Sequence, residues 1–372
     1  MNRTELFQTT LGYHELAEVE KVVESGWIGY GPKCREVETI WANRVRARYG
    51  VATNSCTSAL QIALRLRGVG PGDEVIVPTV TFASTAEAVL SAGAKPVFCD
   101  VMPDTLLIDL ESAASKVTSR TRAIIPVLYA GQVLDIGNTC LGMSVIYDCA
   151  HAAGSSFLGH NKTCCWSFQA VKNLGCGDGG MLTLMNEADQ ARAKSIAWHG
   201  INRSTFERSQ GQHYTWDYDI TELGIKGQMN DITAAILQVQ IERMDELHLA
   251  RLSRVLRYCE CLRGIPGIQI VRNRPSAGRS AWHLFVIKVR TDLRNKLAAY
   301  LAYRGVSTGV HYKPLHLHTL FRDGQTSLPV AEYEWQRILS LPLSPQLRLD
   351  EVDRICRIII ECVRDDSVEA AA

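Results

Sequence analysis

The sequence lacks an excess of charge of either sign: 40 basic residues face 39 acidic ones, for a net charge of +1. That balance gives no electrostatic footprint for nucleic acid or an anionic membrane surface. It also lacks any apolar run long enough to span a bilayer. The opening residues Met1-Asn2-Arg3-Thr4-Glu5 have no apolar core of the signal-peptide kind, so a cytoplasmic protein is expected. Internal repeats and low-complexity linkers are absent. Paired Cys-x-x-Cys motifs are absent as well, although there are twelve cysteines. No metal site is therefore expected. In a chain of 372 residues the cysteines read as reduced thiols serving as small buried hydrophobes, not as a disulfide scaffold.

What is present is an ordinary globular composition, 46% hydrophobic and 21% charged, in a chain long enough for two domains. Short apolar strands alternate with helical stretches: strands at 74–78, 96–100, 123–127, 144–147 and 180–184, helices at 13–25, 34–49, near 110–117 and at 187–199. This alternation predicts a parallel α/β sheet, whose sites sit at the carboxyl ends of strands. A long helix over 229–262 would lead into a smaller unit, with strands at 267–270, 283–287 and 306–310 and helices at 294–304 and 350–362. Residues 364–372 read as frayed. The domain expectation is a large α/β unit over 1–245 and a small one over 246–372.

The chain is organised around Cys164-Cys165-Trp166-Ser167-Phe168-Gln169-Ala170-Val171-Lys172-Asn173-Leu174-Gly175-Cys176-Gly177-Asp178-Gly179-Gly180. One lysine sits between an apolar run and a glycine-dense turn. Burial would lower its pKa and make the amine a nucleophile toward a carbonyl. Taken alone, the stretch reads better as a strand, a turn and a second strand with a snorkelling lysine. Upstream, Asn54-Ser55-Cys56-Thr57-Ser58 opens a helix. Such residues cap helices, and the same geometry points free N–H groups at an anion. Asp148 lies at the end of a predicted strand and is followed by Cys149-Ala150-His151.

In combination these segments resemble the DegT/DnrJ/EryC1/StrS family of sugar aminotransferases, and the resemblance covers nearly the whole chain. The family implies a fold type I enzyme dependent on pyridoxal 5'-phosphate (PLP), similar in fold to aspartate aminotransferase. Lys172 would hold PLP as an imine, with the aminated form PMP arising during turnover, and Asp148 would pair with the ring nitrogen. Phe82 would stack on the ring, and His151 would lie near the ring oxygen or the aspartate. Cys56, Thr57 and Ser167 would hold the phosphate, with Cys56 standing where glycine is usual. Gly224-Ile225-Lys226-Gly227-Gln228-Met229-Asn230-Asp231 matches a segment that reaches a neighbouring subunit's phosphate, so Lys226 implies a homodimer with shared sites. Tyr30, His311 and Tyr312 are the substrate-facing candidates.

The implied reaction moves an amino group from an amino-acid donor, glutamate or glutamine, to a keto sugar, most often nucleotide-linked. A keto-cyclitol acceptor, a PLP-dependent sugar dehydratase and a non-catalytic PLP or sugar-binding regulator are the alternatives. In the dehydratase a histidine replaces the lysine, and Lys172 argues against it. Intact Lys172, Asp148 and Ser167 argue against a regulator.

Overall fold

The computed structural model describes residues 3–157, 159–203, 205–209, 216–272 and 278–369. Its main sheet has eight strands. They are β1 (Tyr49–Thr53), β2 (Glu74–Pro78), β3 (Lys95–Cys99), β4 (Thr121–Ile124), β5 (Thr139–Cys140), β6 (Met143–Asp148), β7 (Thr163–Ser167) and β8 (Gly180–Leu184). The order is β1-β8-β7-β6-β4-β2-β3, with β5 paired to β6 off that path. From β3 to β7 every pair along the order is parallel, while β8 runs antiparallel to both β7 and β1. Val75, Ile76 and Val77 are all fully buried, as expected of a parallel strand covered on both faces. Because β8 is reversed relative to both neighbours, β1 points the same way as β7. The carboxyl ends of β1, β2, β6 and β7 therefore share one edge of the sheet, and β8 begins there.

The helices of this part are α1 (Tyr13–Glu24), α2 (Pro32–Arg44), α3 (Cys56–Leu66), α4 (Ala83–Ser91), α5 (Leu110–Ala114), α6 (Glu187–Ile196), α7 (Thr205–Ser209) and α8 (Asp231–Glu242). Then α9 (Met244–Leu262) leads to a three-stranded antiparallel sheet of β9 (Gln269–Ile270), β10 (Phe285–Lys288) and β11 (Ile338–Leu341). Around it lie α10 (Thr291–Tyr303), α11 (Pro329–Glu334) and α12 (Leu349–Glu369). Met244 and Leu247 of α9 pack into the core beneath the main sheet, whereas Val255, Tyr258 and Leu262 pack with β10, β11 and α12. None of the described helices is long and apolar enough to cross a membrane.

Several element expectations need correction. The helix expected over 34–49 starts at Pro32, a favoured first position, and ends at Arg44. Arg46 then takes a left-handed φ of 56° and turns the chain into β1. The long helix over 229–262 is two helices, because Arg243 leaves the helical region (φ −86°, ψ 1°) and its guanidinium reaches Glu15 and Glu246. The strand expected over 123–127 stops at Ile124, before Pro126, and Val127 keeps only an isolated bridge to Asp148. Residues 306–310 form no strand, only bridges from Val306 to Thr4 and from Gly309 to Ser340. The tail expected to fray from 364 stays helical to Glu369.

Candidate functional site

The shared sheet edge opens into a cavity of about 410 Å³. Lys172, Asp148, Ser167, Cys56, Thr57 and Phe82 all line it, as do His151, His311 and Tyr312. Nine of the eleven residues singled out in the sequence thus meet in one place, although they are drawn from segments far apart in the chain.

Asp148 ends β6 and is buried. One carboxylate oxygen accepts the Thr85 hydroxyl at 2.8 Å, and the other accepts the Ala150 N–H at 3.0 Å. Burial pushes its pKa up, while these two donors and the charge of Lys172 pull it back. A carboxylate desolvated in this way favours a cationic partner in the cavity. From the sequence Thr85 reads only as one of the residues that open a helix. Its only signal was its spacing from Thr81, one helical turn away at the start of α4, and the two hydroxyls bond at 2.8 Å.

Lys172 sits in the connection between β7 and β8. Burial holds its amine below the ordinary lysine range, opposed by the nearby Asp148 and Cys56. The next residue anchors the loop. Asn173 donates to the carbonyls of Ala153 and Ala281 at 3.2 and 2.7 Å, and its own oxygen meets His283 Nδ1 at 3.2 Å. Gly175 belongs to the same loop, where a Cβ would stand 2.7 Å from the Ala170 carbonyl oxygen.

The other end of the cavity is the start of α3. Ser55 caps that helix, its hydroxyl accepting the Ser58 N–H at 3.1 Å. Cys56 and Thr57 form the first turn, and both line the cavity. A first turn of this kind offers N–H groups and a positive dipole end to an anion. Gly180 lets β8 press against this turn, since a Cβ there would lie 2.4 Å from the Ser55 carbonyl carbon. Ser167 ends β7 on the same side of the sheet.

Phe82 precedes α4 and is 61% exposed despite being a large aromatic, so a flat face is offered to whatever enters. Its ring lies 6.1 Å from that of Tyr312. His151 is buried, and burial with the charge of Lys172 pushes its pKa well down. Its Nε2 is 3.2 Å from the Tyr312 hydroxyl. His311 bonds Ser340 through Nδ1 at 2.8 Å, and burial takes its pKa down to about 4.

Tyr30 and Lys226 do not reach this cavity. They line a second one of about 480 Å³, together with Trp27 and Trp198. The Tyr30 hydroxyl donates to the buried Glu38 at 2.9 Å. Arg208 of α7 stacks on Tyr218 at 4.7 Å, and Tyr214 lies outside the described residues. Among the described residues no group of three or more His, Cys, Asp or Glu side chains is gathered as metal ligands.

The main cavity therefore combines a helix start suited to an anion, a nucleophilic amine, a buried carboxylate and an exposed aromatic face. This set can hold a molecule that carries a phosphate at one end, a carbonyl beside the lysine and a cationic ring nitrogen beside the aspartate.

Comparison with known proteins agrees with this chemistry. A family model described as the DegT/DnrJ/EryC1/StrS aminotransferase family matches residues 9–360. The chain is 35% identical to the spore coat polysaccharide biosynthesis protein SpsC of Bacillus subtilis, over 95% of each chain. Its fold superimposes on the aminotransferase TlmJ of Streptoalloteichus hindustanus with a TM-score of 0.90 and 31% identity, covering 98% of this chain and all (100%) of that one. Spr1654 of Streptococcus pneumoniae, assigned as a sugar aminotransferase and solved in its PMP form, gives 0.89 at 28% identity, with 100% of each chain covered.

Proposed function

The chain belongs to the DegT/DnrJ/EryC1/StrS aminotransferase family, and from that premise we propose that it is a PLP-dependent enzyme moving an amino group from glutamate or glutamine to a nucleotide-linked keto sugar. The observation that carries this reading is the convergence of Lys172 and Asp148 on one cavity that also holds the start of α3. The PLP and PMP forms of Spr1654, at 28% identity, support the choice of cofactor.

Bound PLP supplies an electron sink for the electron pair left when a proton departs the amino-acid carbon. The rest falls to the residues of the chain. Lys172 would hold the cofactor at its carbonyl and, once displaced, carry a proton at Nζ as base and then acid. A depressed lysine pKa suits both roles near neutral pH. Asp148, held by Thr85 and Ala150, would keep the ring nitrogen protonated. Ser167, Thr57 and the first-turn amides of α3 would take the phosphate, and Phe82 would cover one ring face.

Lys226 would serve the neighbouring subunit of a homodimer, with Tyr30 beside it at the sugar entrance. The chain would divide near residue 245, at the start of the helix α9 that leads from one core to the other, and the enzyme would work in the cytoplasm. The test is a panel of nucleotide-linked keto sugars, free keto sugars and keto-cyclitols offered to the PMP-loaded protein. Return of PLP absorbance with a nucleotide-linked keto sugar is the expected result. Return only with cyclitols would move the assignment to a cyclitol aminotransferase, and return with none of them would end it.

A further inference from the structure

We propose that Tyr312 donates a hydrogen bond to an anionic oxygen of the molecule held in the main cavity, and that His151 fixes the direction of this donation. The proposal rests on the function proposed above for what occupies the cavity, but its geometric half stands without it.

Ala130 holds a left-handed φ of 57°, a conformation costly for a residue with a Cβ. In that conformation its N–H points at His151 Nδ1, 3.3 Å away. A neutral imidazole has one N–H and one lone pair. With Nδ1 accepting from the backbone, the ring hydrogen must be on Nε2, so the 3.2 Å contact with Tyr312 has the imidazole as donor and the phenol oxygen as acceptor. The phenol's own hydrogen is left over. Among the described residues Tyr312 makes no other side-chain hydrogen bond, and its ring lines the cavity with Lys172 and Asp148.

The opposite polarity is closed off twice. A hydrogen on Nδ1 would run into the Ala130 N–H, and a doubly protonated ring is disfavoured by burial and by the charge of Lys172. Turning the ring over would set Cδ2 against the Ala130 N–H and Cε1 against the Tyr312 hydroxyl, losing both hydrogen bonds. His283 packs on the ring with centroids 4.3 Å apart, and His283 is itself stacked on Phe7 at 5.6 Å and tied to Asn173. His151 is thus a positioning residue that leaves Tyr312 with only one hydrogen to give, directed at the cavity.

Two oxygens of the bound system share the required chemistry: the ring phenolate oxygen of PLP and the carboxylate of the donor amino acid. The first measurement is made on the protein without PLP. Long-range nitrogen–proton NMR of histidine-labelled protein should show His151 with a bare Nδ1 and a protonated Nε2. The signal is assigned by its loss in His151→Gln or, should that variant not fold, by its shift in Tyr312→Phe. A protonated Nδ1 would overturn the proposal whether or not the protein binds PLP.

The second measurement compares Tyr312→Phe with the parent by PLP titration and by L-glutamate titration of the PLP-loaded protein. Loss of one hydrogen bond to a charged oxygen corresponds to roughly a tenfold or greater weakening. A weakened PLP titration with a shifted absorption band assigns the ring oxygen. An unchanged PLP titration with a weakened glutamate titration assigns the carboxylate. Both titrations unchanged would overturn the proposal. A parent protein that binds no PLP would instead defeat the proposed function and leave the nitrogen result standing.

Discussion

The Lys226 amine lies over the face of Trp198, 3.5 Å from the ring centroid, and outside the cavity that Lys172 lines. A cation parked on an indole is held by a worthwhile but exchangeable attraction. Burial lowers its pKa, a cost that a phosphate partner would relieve. If Lys226 serves a neighbouring subunit, mixed Lys172→Ala and Lys226→Glu proteins should regain activity once subunits exchange, because one pocket of each heterodimer keeps both lysines. Verified exchange without recovered activity, or an active monomer by sedimentation, would sink the shared site.

Lys172 should be the residue that retains the cofactor after borohydride reduction of the PLP-loaded protein, as read by peptide mapping. Label on another lysine would remove it from the mechanism. A second consequence is thermodynamic. A lysine whose folded pKa is depressed binds fewer protons in the folded state, so its contribution makes the protein more stable as pH rises from the folded value toward the ordinary one. Without PLP, Lys172→Met should flatten that rise and lift the melting temperature near neutral pH by roughly a few degrees. An unchanged melting curve would mean that the amine is better solvated than its surroundings suggest.

Asp148→Asn keeps the shape but removes the charge, and it leaves one accepting oxygen where two now serve Thr85 and Ala150. Turnover should fall by orders of magnitude, on the scale of roughly several kcal/mol of transition-state stabilisation. The substitution should also lower the Lys172 pKa further, since Asp148 now raises it. The pH dependence of PLP addition to the unloaded protein reads this as a transition displaced to lower pH. Near-normal turnover would rule out a role at the ring nitrogen.

Gly180→Ala places a Cβ 2.4 Å from the Ser55 carbonyl carbon, so β8 and the start of α3 must move apart. Overpacking of this kind costs about 1–3 kcal/mol. The predicted signature is a lower denaturation midpoint together with weaker PLP binding. Gly70→Ala is the control, since a Cβ there meets nothing within 4 Å. Equal behaviour of the two variants would show that the turn does not depend on close approach.

The main-sheet strands were legible because their apolar runs are short and bounded by turn formers, and β2 and β8 fall at the expected residues. Lys172, Asp148 and the start of α3 were legible because each sits beside a strand end, and strand ends converge in a sheet of this kind. What stayed hidden depends on contacts between distant segments. Nothing local around Arg243 marks a helix break; its partner Glu15 is supplied by α1. Thr85 looks like any helix-opening threonine until β6 brings Asp148 beside it. Residues 306–310 have a strand-like composition, but their neighbours offer only single bridges at Thr4 and Ser340.

The placement of the cysteines determines how the protein would age in air. Eight of the twelve are buried, and for Cys56, Cys149 and Cys165 burial pushes the thiol pKa far up, so the reactive thiolate is scarce. The four half-exposed ones are Cys140, Cys259, Cys261 and Cys362, three of them on α9 and α12; burial raises the thiols of Cys140 and Cys259 too, so access to the sulfur sets the order. Oxidants would therefore first attack the helices packed around the three-stranded sheet, while Cys56, in the cavity wall, stays reduced. A weathered sample would loosen in its smaller core before its chemistry failed, and the two losses should separate in time.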